Sequence, residues 1–190
     1  MVSLTANERL VRARDAAAQV CDPEIPSLSL EDLGILREVQ IEAEQVVVTL
    51  APTYTACPAT EAICDDVEAA LEAAGVAPFT VRVSLTPAWS SDWITTTGRR
   101  KLLEAGIAPP PCLASRAGEP ASLSAPLRFM RREPGRAPAA DWLTHADASP
   151  ECPRCQSTQT ELLSEYGSTA CKSLYRCRAC AEPFDYFKPY

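Results

Sequence analysis

The chain has 190 residues and a formal net charge of −7, which argues against a general nucleic-acid or anionic-membrane binder. Its single histidine, His145, excludes a histidine-rich metal centre, and no apolar stretch reaches the roughly 20 residues of a membrane span. The first residues alternate charges and show no apolar signal core, so we expect a cytoplasmic protein. Nine cysteines in that reducing compartment favour metal or thiol chemistry over disulfides.

Proline and charge divide the chain into three parts. Residues 1–108 carry 16 of the 25 acidic side chains, and residues 109–150 carry eight of the 17 prolines without any sustained periodicity. We therefore expect an acidic domain over 1–108 and a Pro-rich linker, extended or disordered, over 109–150. A small cysteine-rich unit is expected over 151–190.

A helix is predicted near the N-terminus, because Thr5 and Glu8 form a capping-box pattern. We expect this helix to end at Asp22, since the residue before a proline is disfavoured in helices. Apolar and polar residues then alternate on both sides of a polar turn at 42–45, which predicts a β-hairpin.

A second helix is predicted from Pro58 to Ala74, with one apolar and one acidic stripe. A half-buried strand over 79–85 follows, and Ser91 is expected to cap a third helix that ends near Gly106. The order α-β-β-α-β-α predicts an α+β fold, a small sandwich with a three-stranded sheet, followed by a separate zinc ribbon.

The ribbon is predicted from two Cys-x-x-Cys pairs near the C-terminus. Two such pairs supply four thiolates to one tetrahedral ion, and the predicted metal ligands are Cys152, Cys155, Cys177 and Cys180. A unit of about 40 residues rarely builds a core alone, so we expect structural Zn²⁺. A rubredoxin-like iron site with the same ligands is the alternative. Cys171 is interpreted either as a strand cysteine or as a substitute ligand.

Cys57 lies between a predicted strand and the second helix, and Pro58 suits the first helical position. A thiol at that cap is stabilised as a thiolate by unpaired N–H groups and the helix dipole. Cys57 is therefore the candidate reactive thiol or open metal ligand, with a passive cap cysteine as the alternative. Asp22 and Glu24 either tune such a thiol and hold a metal transiently, or only bond local backbone amides.

These motifs resemble a known family when they are taken in order. Residues 22–26, 32–35 and 53–58 resemble the domain of cytosolic iron–sulfur targeting factors and of the bacterial SufT proteins. The resemblance implies that Cys57 contacts iron or an iron–sulfur cluster, that Asp22 and Glu24 are its acidic neighbours, and that Thr53 shapes the loop.

Residues 87–93, 106–110 and 167–188 are similar more specifically to the PaaD family, accessory subunits of the phenylacetyl-CoA epoxidase system. One residue departs from the usual pattern: Gln156 stands where ribbons generally have a glycine that eases a positive φ. This resemblance implies a non-catalytic factor, not an enzyme, that installs or repairs an iron–sulfur cluster in the epoxidase of phenylacetate degradation.

The implied partners are the epoxidase subunits, above all the iron–sulfur reductase, with no nucleic acid and no membrane. One cysteine cannot hold a cluster that needs four thiolates. A cluster on Cys57 is therefore expected to be transient, shared in a homodimer or completed by another ligand. The alternative function is a structural docking subunit of the oxygenase complex in which Cys57 is inert.

Overall fold

The computed structural model describes residues 5–112 and 149–190 of the chain. The helices are α1 (Ala6–Gln19), α2 (Thr60–Ala73) and α3 (Thr96–Glu104), and the strands are β1 (Leu36–Glu42), β2 (Gln45–Leu50), β3 (Phe79–Val83), β4 (Ile107–Ala108), β5 (Thr160–Ser164), β6 (Lys172–Cys177) and β7 (Pro183–Phe187). None of the helices described here is long and apolar enough to cross a membrane. Most of the expected linker over 109–150 lies outside the described residues.

The N-terminal part forms the predicted helices and hairpin. α1 begins after Thr5, which makes both hydrogen bonds of a capping box with Glu8. β1 and β2 are antiparallel, and their turn places Ala43 and Glu44 at positive φ. β3 lies parallel to β2, so the sheet has the order β1-β2-β3. The predicted α+β fold class and its three-stranded sheet are confirmed.

A hydrophobic core joins α1, α2 and this sheet. Alternate residues of β2 and one stripe of α2 are buried in it, namely Val46, Val48, Leu50, Ile63, Val67 and Leu71. The segment between α1 and β1 adds three fully or almost fully buried leucines, Leu28, Leu30 and Leu33, although it lies outside the helices and strands. These leucines anchor the turn that carries Asp22 and Glu24.

The predicted third helix is divided in the structure. A 3-10 turn covers Ser91–Trp93, and α3 begins only at Thr96, with Thr95 as its N-cap. The Thr95 hydroxyl accepts a hydrogen bond from the Gly98 N–H at 2.9 Å. Thr95 therefore starts the helix, because its hydroxyl oxygen satisfies an N–H group that has no partner within the helix.

The C-terminal unit forms a four-stranded sheet in the order β4-β7-β6-β5. β5, β6 and β7 are antiparallel neighbours, as expected for a ribbon hairpin and the strand after it. β4 follows α3 in the N-terminal part of the chain and pairs with β7 in parallel. The sheet of the ribbon is thus separate from the β1-β2-β3 sheet, but the N-terminal part contributes one edge strand, β4.

Aromatic contacts also attach the end of the chain to the N-terminal domain. The Trp89 ring centroid lies 6.0 Å from that of Phe187 and 6.1 Å from that of Tyr190. The Trp89 Nε1–H donates to the Leu33 carbonyl at 3.0 Å, and the Ser91 N–H donates to the Tyr190 carbonyl at 3.1 Å. Phe187 is 1% exposed and belongs to the N-terminal core, so the ribbon is docked onto this domain.

Candidate functional site

The four predicted ribbon ligands meet between two tight turns. The Sγ atoms of Cys152, Cys155, Cys177 and Cys180 all lie within 4.8 Å of one another. The Cys152 and Cys180 sulfurs are 3.8 Å apart, and those of Cys155 and Cys177 are 3.5 Å apart. Sulfurs around a tetrahedral zinc ion, with Zn–S bonds of roughly 2.3 Å, lie about 3.8 Å apart. The donor set therefore fits a closed metal site with four thiolate ligands.

The residue after each cysteine pair adopts a left-handed conformation. Gln156 has a φ of 60° and Ala181 a φ of 63°. The Gln156 N–H donates to the Cys152 carbonyl at 2.8 Å, which closes the first turn. Gln156 thus occupies the positive-φ position at which other ribbons generally have glycine, and the turn forms without one.

Hydrogen bonds from backbone N–H groups stabilise thiolates in the cluster, whereas contacts with neighbouring sulfurs raise the pKa of Cys155. Backbone N–H groups of Cys180 and Ala179 lower the pKa of Cys177 to about 6. The Ser157 N–H lowers the pKa of Cys155, but hydrogen bonds between Cys155 and the neighbouring sulfurs raise that pKa overall, to about 12. A divalent cation would offset the repulsion between neighbouring thiolates, because it stabilises all four of them at once.

Cys57 lies in the turn between β2 and α2. Its N–H donates to the Tyr54 carbonyl at 3.2 Å, and its own carbonyl accepts from the Thr60 N–H at 3.2 Å. α2 begins at Thr60, with Ala59 as the N-cap residue. The prediction that Pro58 opens the helix is therefore wrong, because a separate turn precedes the helix.

The predicted lowering of the Cys57 pKa is also wrong. Burial is the largest influence and raises the pKa of this thiol, since a buried thiolate loses its hydration. The Ala59 N–H and the Thr60 hydroxyl lower the pKa through hydrogen bonds to the sulfur, whereas Glu24 and Asp22 raise it. The helix start therefore supplies donors to Cys57, but burial outweighs them.

The sequence-predicted residues around Cys57 do come together. Asp22, Glu24, Thr53 and Cys57 line one cavity of about 10 Å³, whose other walls are Ile25, Leu33, Ile35, Pro52, Ile63, Cys171 and Phe187. Asp22 Oδ1 accepts hydrogen bonds from the backbone N–H groups of Glu24 at 2.8 Å and Ile25 at 2.9 Å. Asp22 thus shapes its own turn, and that turn faces the thiol of Cys57.

Cys171 is a second thiol of this cavity, and its place there was not predicted from the sequence. It directly precedes β6, is 6% exposed, and packs in the N-terminal core rather than in the cluster of ribbon cysteines. Its sulfur lies 3.0 Å from the Thr169 hydroxyl. Burial raises the pKa of Cys171, and the carboxylates of Glu24 and Asp22 raise it further. A fifth ribbon cysteine with no Cys-x-x-Cys partner was the available sequence signal.

A wider groove of about 680 Å³ lies elsewhere, between the end of α3 and the first cysteine pair of the ribbon. Leu103, Pro109, Pro150 and Tyr186 line it, and Cys152 contributes its only cysteine. This groove shares no lining residue with the Cys57 cavity, so it is not part of the thiol site.

Two family descriptions match successive parts of the chain. "Iron-sulfur cluster assembly protein" matches residues 11–85, which contain Cys57, and "PaaD zinc beta ribbon domain" matches residues 137–188. A protein of Escherichia coli (strain K12), named as a subunit of a "Putative 1,2-phenylacetyl-CoA epoxidase", is 42% identical over 173 residues. The match covers 90% of this chain and 87% of that protein. The chain belongs to the PaaD family.

This PaaD-family chain joins an iron–sulfur assembly domain to a ribbon whose four cysteines form a metal-binding cluster. The "Fe-S protein maturation auxiliary factor" of Porphyromonas gingivalis (strain ATCC BAA-308 / W83) is 34% identical over 90 residues. These residues are 46% of this chain and 82% of that protein, so this second relative matches only part of the PaaD-family chain.

Two solved structures are similar to part of this chain. A Domain of Unknown Function DUF59 from Bacillus anthracis is 23% identical with a TM-score of 0.47, over 51% of this chain and 93% of that one. A Mycobacterium tuberculosis protein associated with Fe–S complex assembly and repair is 31% identical with a TM-score of 0.31, over 55% and 90%.

Proposed function

We propose that this chain is a non-catalytic factor that helps assemble or deliver an iron–sulfur cluster for a phenylacetyl-CoA epoxidase. The observation that carries the proposal is the Cys57 cavity, in which a thiol and two carboxylates meet within the region matched by the iron–sulfur assembly family. Thiolates and carboxylates are among the protein groups that bind iron.

The Cys57 cavity suits transient contact with iron rather than permanent storage of a cluster, because it offers two thiols whereas a cluster takes four thiolates. Burial raises the pKa of the Cys57 thiol, and the nearby Glu24 and Asp22 raise it further, which favours the protonated form. Arrival of iron would release that proton and create the thiolate ligand, which couples metal binding to proton loss. Reprotonation would then favour release of the iron to a site that offers more thiolates.

The cavity that Cys57 faces supports the roles proposed for its neighbours. Asp22 and Glu24 are the acidic neighbours that attract a cation, and Thr53, 8% exposed, holds the loop before Cys57 in the protein interior.

We propose Zn²⁺ as the structural ion of the four ribbon cysteines, because the sulfur separations of 3.5 and 3.8 Å suit a tetrahedral site. Iron or its cluster is cargo.

The proposed client is the iron–sulfur reductase subunit of the epoxidase, in the cytoplasm, where thiols stay reduced. To test this, the reductase is co-expressed with wild type, Cys57→Ser or Cys64→Ser and purified without oxygen, and its iron and acid-labile sulfide are measured. Cys64 is a half-buried cysteine of the same domain that does not line the cavity, so it is the matched control.

We expect Cys57→Ser to lower the cluster occupancy of the reductase, and Cys64→Ser to leave it at the wild-type level. Equal occupancy with wild type and Cys57→Ser, at equal amounts of soluble factor, would overturn the role of Cys57 in maturation. The same samples report whether each variant co-purifies with the reductase.

A structural docking subunit is the second candidate, and one observation favours it. Cys57 is covered by ribbon residues Cys171 and Phe187, and burial raises its pKa, as expected for an inert core thiol. For this function we expect the Cys57 variant to support full occupancy, while loss of the whole chain dissociates the epoxidase subunits in size-exclusion chromatography.

A further inference from the structure

Two thiols reach the Cys57 cavity from distant parts of the chain. Cys57 follows β2 in the N-terminal domain, and Cys171 precedes β6 in the ribbon. Cys171 is held there by its neighbours: the Lys188 N–H donates to its carbonyl at 2.9 Å, and the Phe187 side chain closes the same cavity. The ribbon thus inserts a thiol that its own four-cysteine cluster does not use.

Carboxylates face both thiols. Asp22 and Glu24 line the cavity beside Cys57 and Cys171, and their negative charge adds to burial in raising the pKa of each thiol. Asp22 is 9% exposed, and its Oδ1 is occupied by two backbone N–H groups.

The buried lysine next to Cys171 already has a carboxylate partner outside this cavity. Lys172, next to Cys171, is 4% exposed, but its ammonium group forms an ion pair with Asp185 at 3.5 Å. Two thiols and two carboxylates around one small cavity therefore form a set that a divalent cation would stabilise, because it replaces thiol protons and offsets carboxylate repulsion.

The size of the cavity selects between kinds of cargo. About 10 Å³ is the space of roughly one water molecule. A single metal ion needs no more room than that, whereas an iron–sulfur cluster contains at least two irons and two bridging sulfides. The cavity therefore has room for one ion but not for a cluster.

We propose that Cys57 and Cys171 are paired ligands of a second metal site, which binds one thiophilic divalent cation with a carboxylate from Asp22 or Glu24. Naming that cation as Fe²⁺ rests on the proposed function, but the site itself does not. Within the described parts of the chain only the ribbon cysteines bring three or more ligand atoms within 4.8 Å of one another. Binding at the second site therefore requires its ligand atoms to move closer together.

The test uses the full chain, purified without oxygen and loaded with one equivalent of Zn²⁺ per ribbon. Co²⁺ is then added, and thiolate-to-cobalt charge-transfer absorption is recorded together with the zinc content of each sample. Wild type is compared with Cys57→Ser, Cys171→Ser and the control Cys64→Ser. Retained zinc shows that the ribbon cluster stays intact and that cobalt has not replaced its ion.

We expect wild type and Cys64→Ser to bind one cobalt ion beyond the zinc, with thiolate charge-transfer bands. Loss of either ligand should weaken that binding by about tenfold or more and reduce the thiolate absorption. A wild-type chain that binds no second ion, or a Cys171→Ser chain that binds cobalt as wild type does, would overturn the proposal.

The same variants separate this inference from the proposed function. If Cys57→Ser lowers cluster occupancy in the reductase but Cys171→Ser binds cobalt normally, the maturation role stands and the second ligand is rejected. If cobalt binding depends on both cysteines but reductase occupancy depends on neither, the metal site stands and the maturation role is rejected.

Discussion

In the ribbon, four sulfurs from two tight turns lie within 4.8 Å of one another, whereas the Cys57 cavity gathers two thiols that lie far apart in sequence. The ribbon ligands depend on local backbone geometry, since each turn orients a Cys-x-x-Cys pair by itself. The Cys57 cavity depends on a tertiary contact, because its second thiol is present only while the ribbon is docked.

This difference suggests different tasks for the same side chain. A closed set of four thiolates has no open position and serves structure. A cavity shared between two units can open when those units separate, and an exchangeable ligand site needs that property. If the Cys57 cavity depends on ribbon docking, loss of the ribbon metal should disturb it most and a change within one ribbon turn least.

The largest effect is expected from Cys177→Ser or from removal of the metal with a chelator. Structural zinc contributes about 10–16 kcal/mol to the folding of small zinc units, so we expect residues 151–190 to lose their sheet. Withdrawal of Cys171 and Phe187 should then expose Cys57 to maleimide. The measurements are amide NMR spectra and the rate of maleimide labelling at Cys57. An unfolded ribbon together with an unchanged labelling rate would show that burial of Cys57 does not depend on the docked ribbon.

A smaller effect is expected from Phe187→Ala, which should leave the ribbon cluster intact. Phe187 is 1% exposed and contacts Trp89, so its truncation should cost about 4 kcal/mol of unfolding free energy. We also expect faster alkylation of Cys57 and Cys171, because the cavity loses one wall. Leu162→Ala is the control, since Leu162 is 46% exposed, and an equal loss of stability in both variants would contradict this account.

Asp32→Asn tests the N-terminal side of the comparison. Asp32 is 7% exposed and binds the Lys101 ammonium at 2.6 Å. Burial raises its pKa, but the hydrogen bond from Lys101 and others more than offset this, so the pKa is lowered overall. We expect the substitution to cost about 2 kcal/mol at neutral pH, with the ribbon metal retained.

The pH dependence of that cost has a definite sign. A carboxyl whose pKa is lowered by folding stabilises the protein above its unfolded pKa, and this stability is lost as the pH falls through the folded value. The gap in unfolding free energy between wild type and Asp32→Asn should therefore narrow on acidification, as measured by urea denaturation at several pH values. A gap that widens in acid would reject the Lys101 ion pair as its cause.

The smallest effect is expected from Gln156→Gly in the ribbon. Gln156 has a φ of 60°, a conformation that costs a residue with a side chain about 1 kcal/mol relative to glycine. The variant should hold its metal more tightly against a chelator, while labelling of Cys57 stays at the wild-type rate. Arg154→Gly, in the same turn, should bring no such gain.

The parts of the fold that local patterns determine were predictable. The capping box at Thr5 and Glu8 and the apolar stripe of α2 each specify an element through near neighbours in sequence. The strand predicted over 79–85 forms only as far as Val83, and that residue is exposed. The Cys-x-x-Cys pairs likewise predict the ribbon cluster, because its ligand geometry is built within two short turns.

The parts that depend on distant contacts were not predictable in this way. No periodicity indicates that β4 joins β7 or that Cys171 enters the cavity of Cys57, since both arise from docking of the ribbon. The error in the Cys57 pKa has the same origin. The sequence shows the helix start that lowers a thiol pKa, but it does not show the burial that raises it.

The pairing of β4 with β7 has a consequence for the covalent continuity of the chain. Ile107 pairs with Asp185 and Ala108 with Tyr186, so the two units are joined by a sheet as well as by peptide bonds. Pro109 and Pro150 line the same groove, so the residues before and after the segment 113–148 lie near each other. Hydrogen bonds between β4 and β7 therefore hold the residues on the two sides of this segment together independently of the peptide chain between them. A substitution that breaks this strand pairing should loosen the ribbon from the N-terminal part even though every peptide bond stays intact.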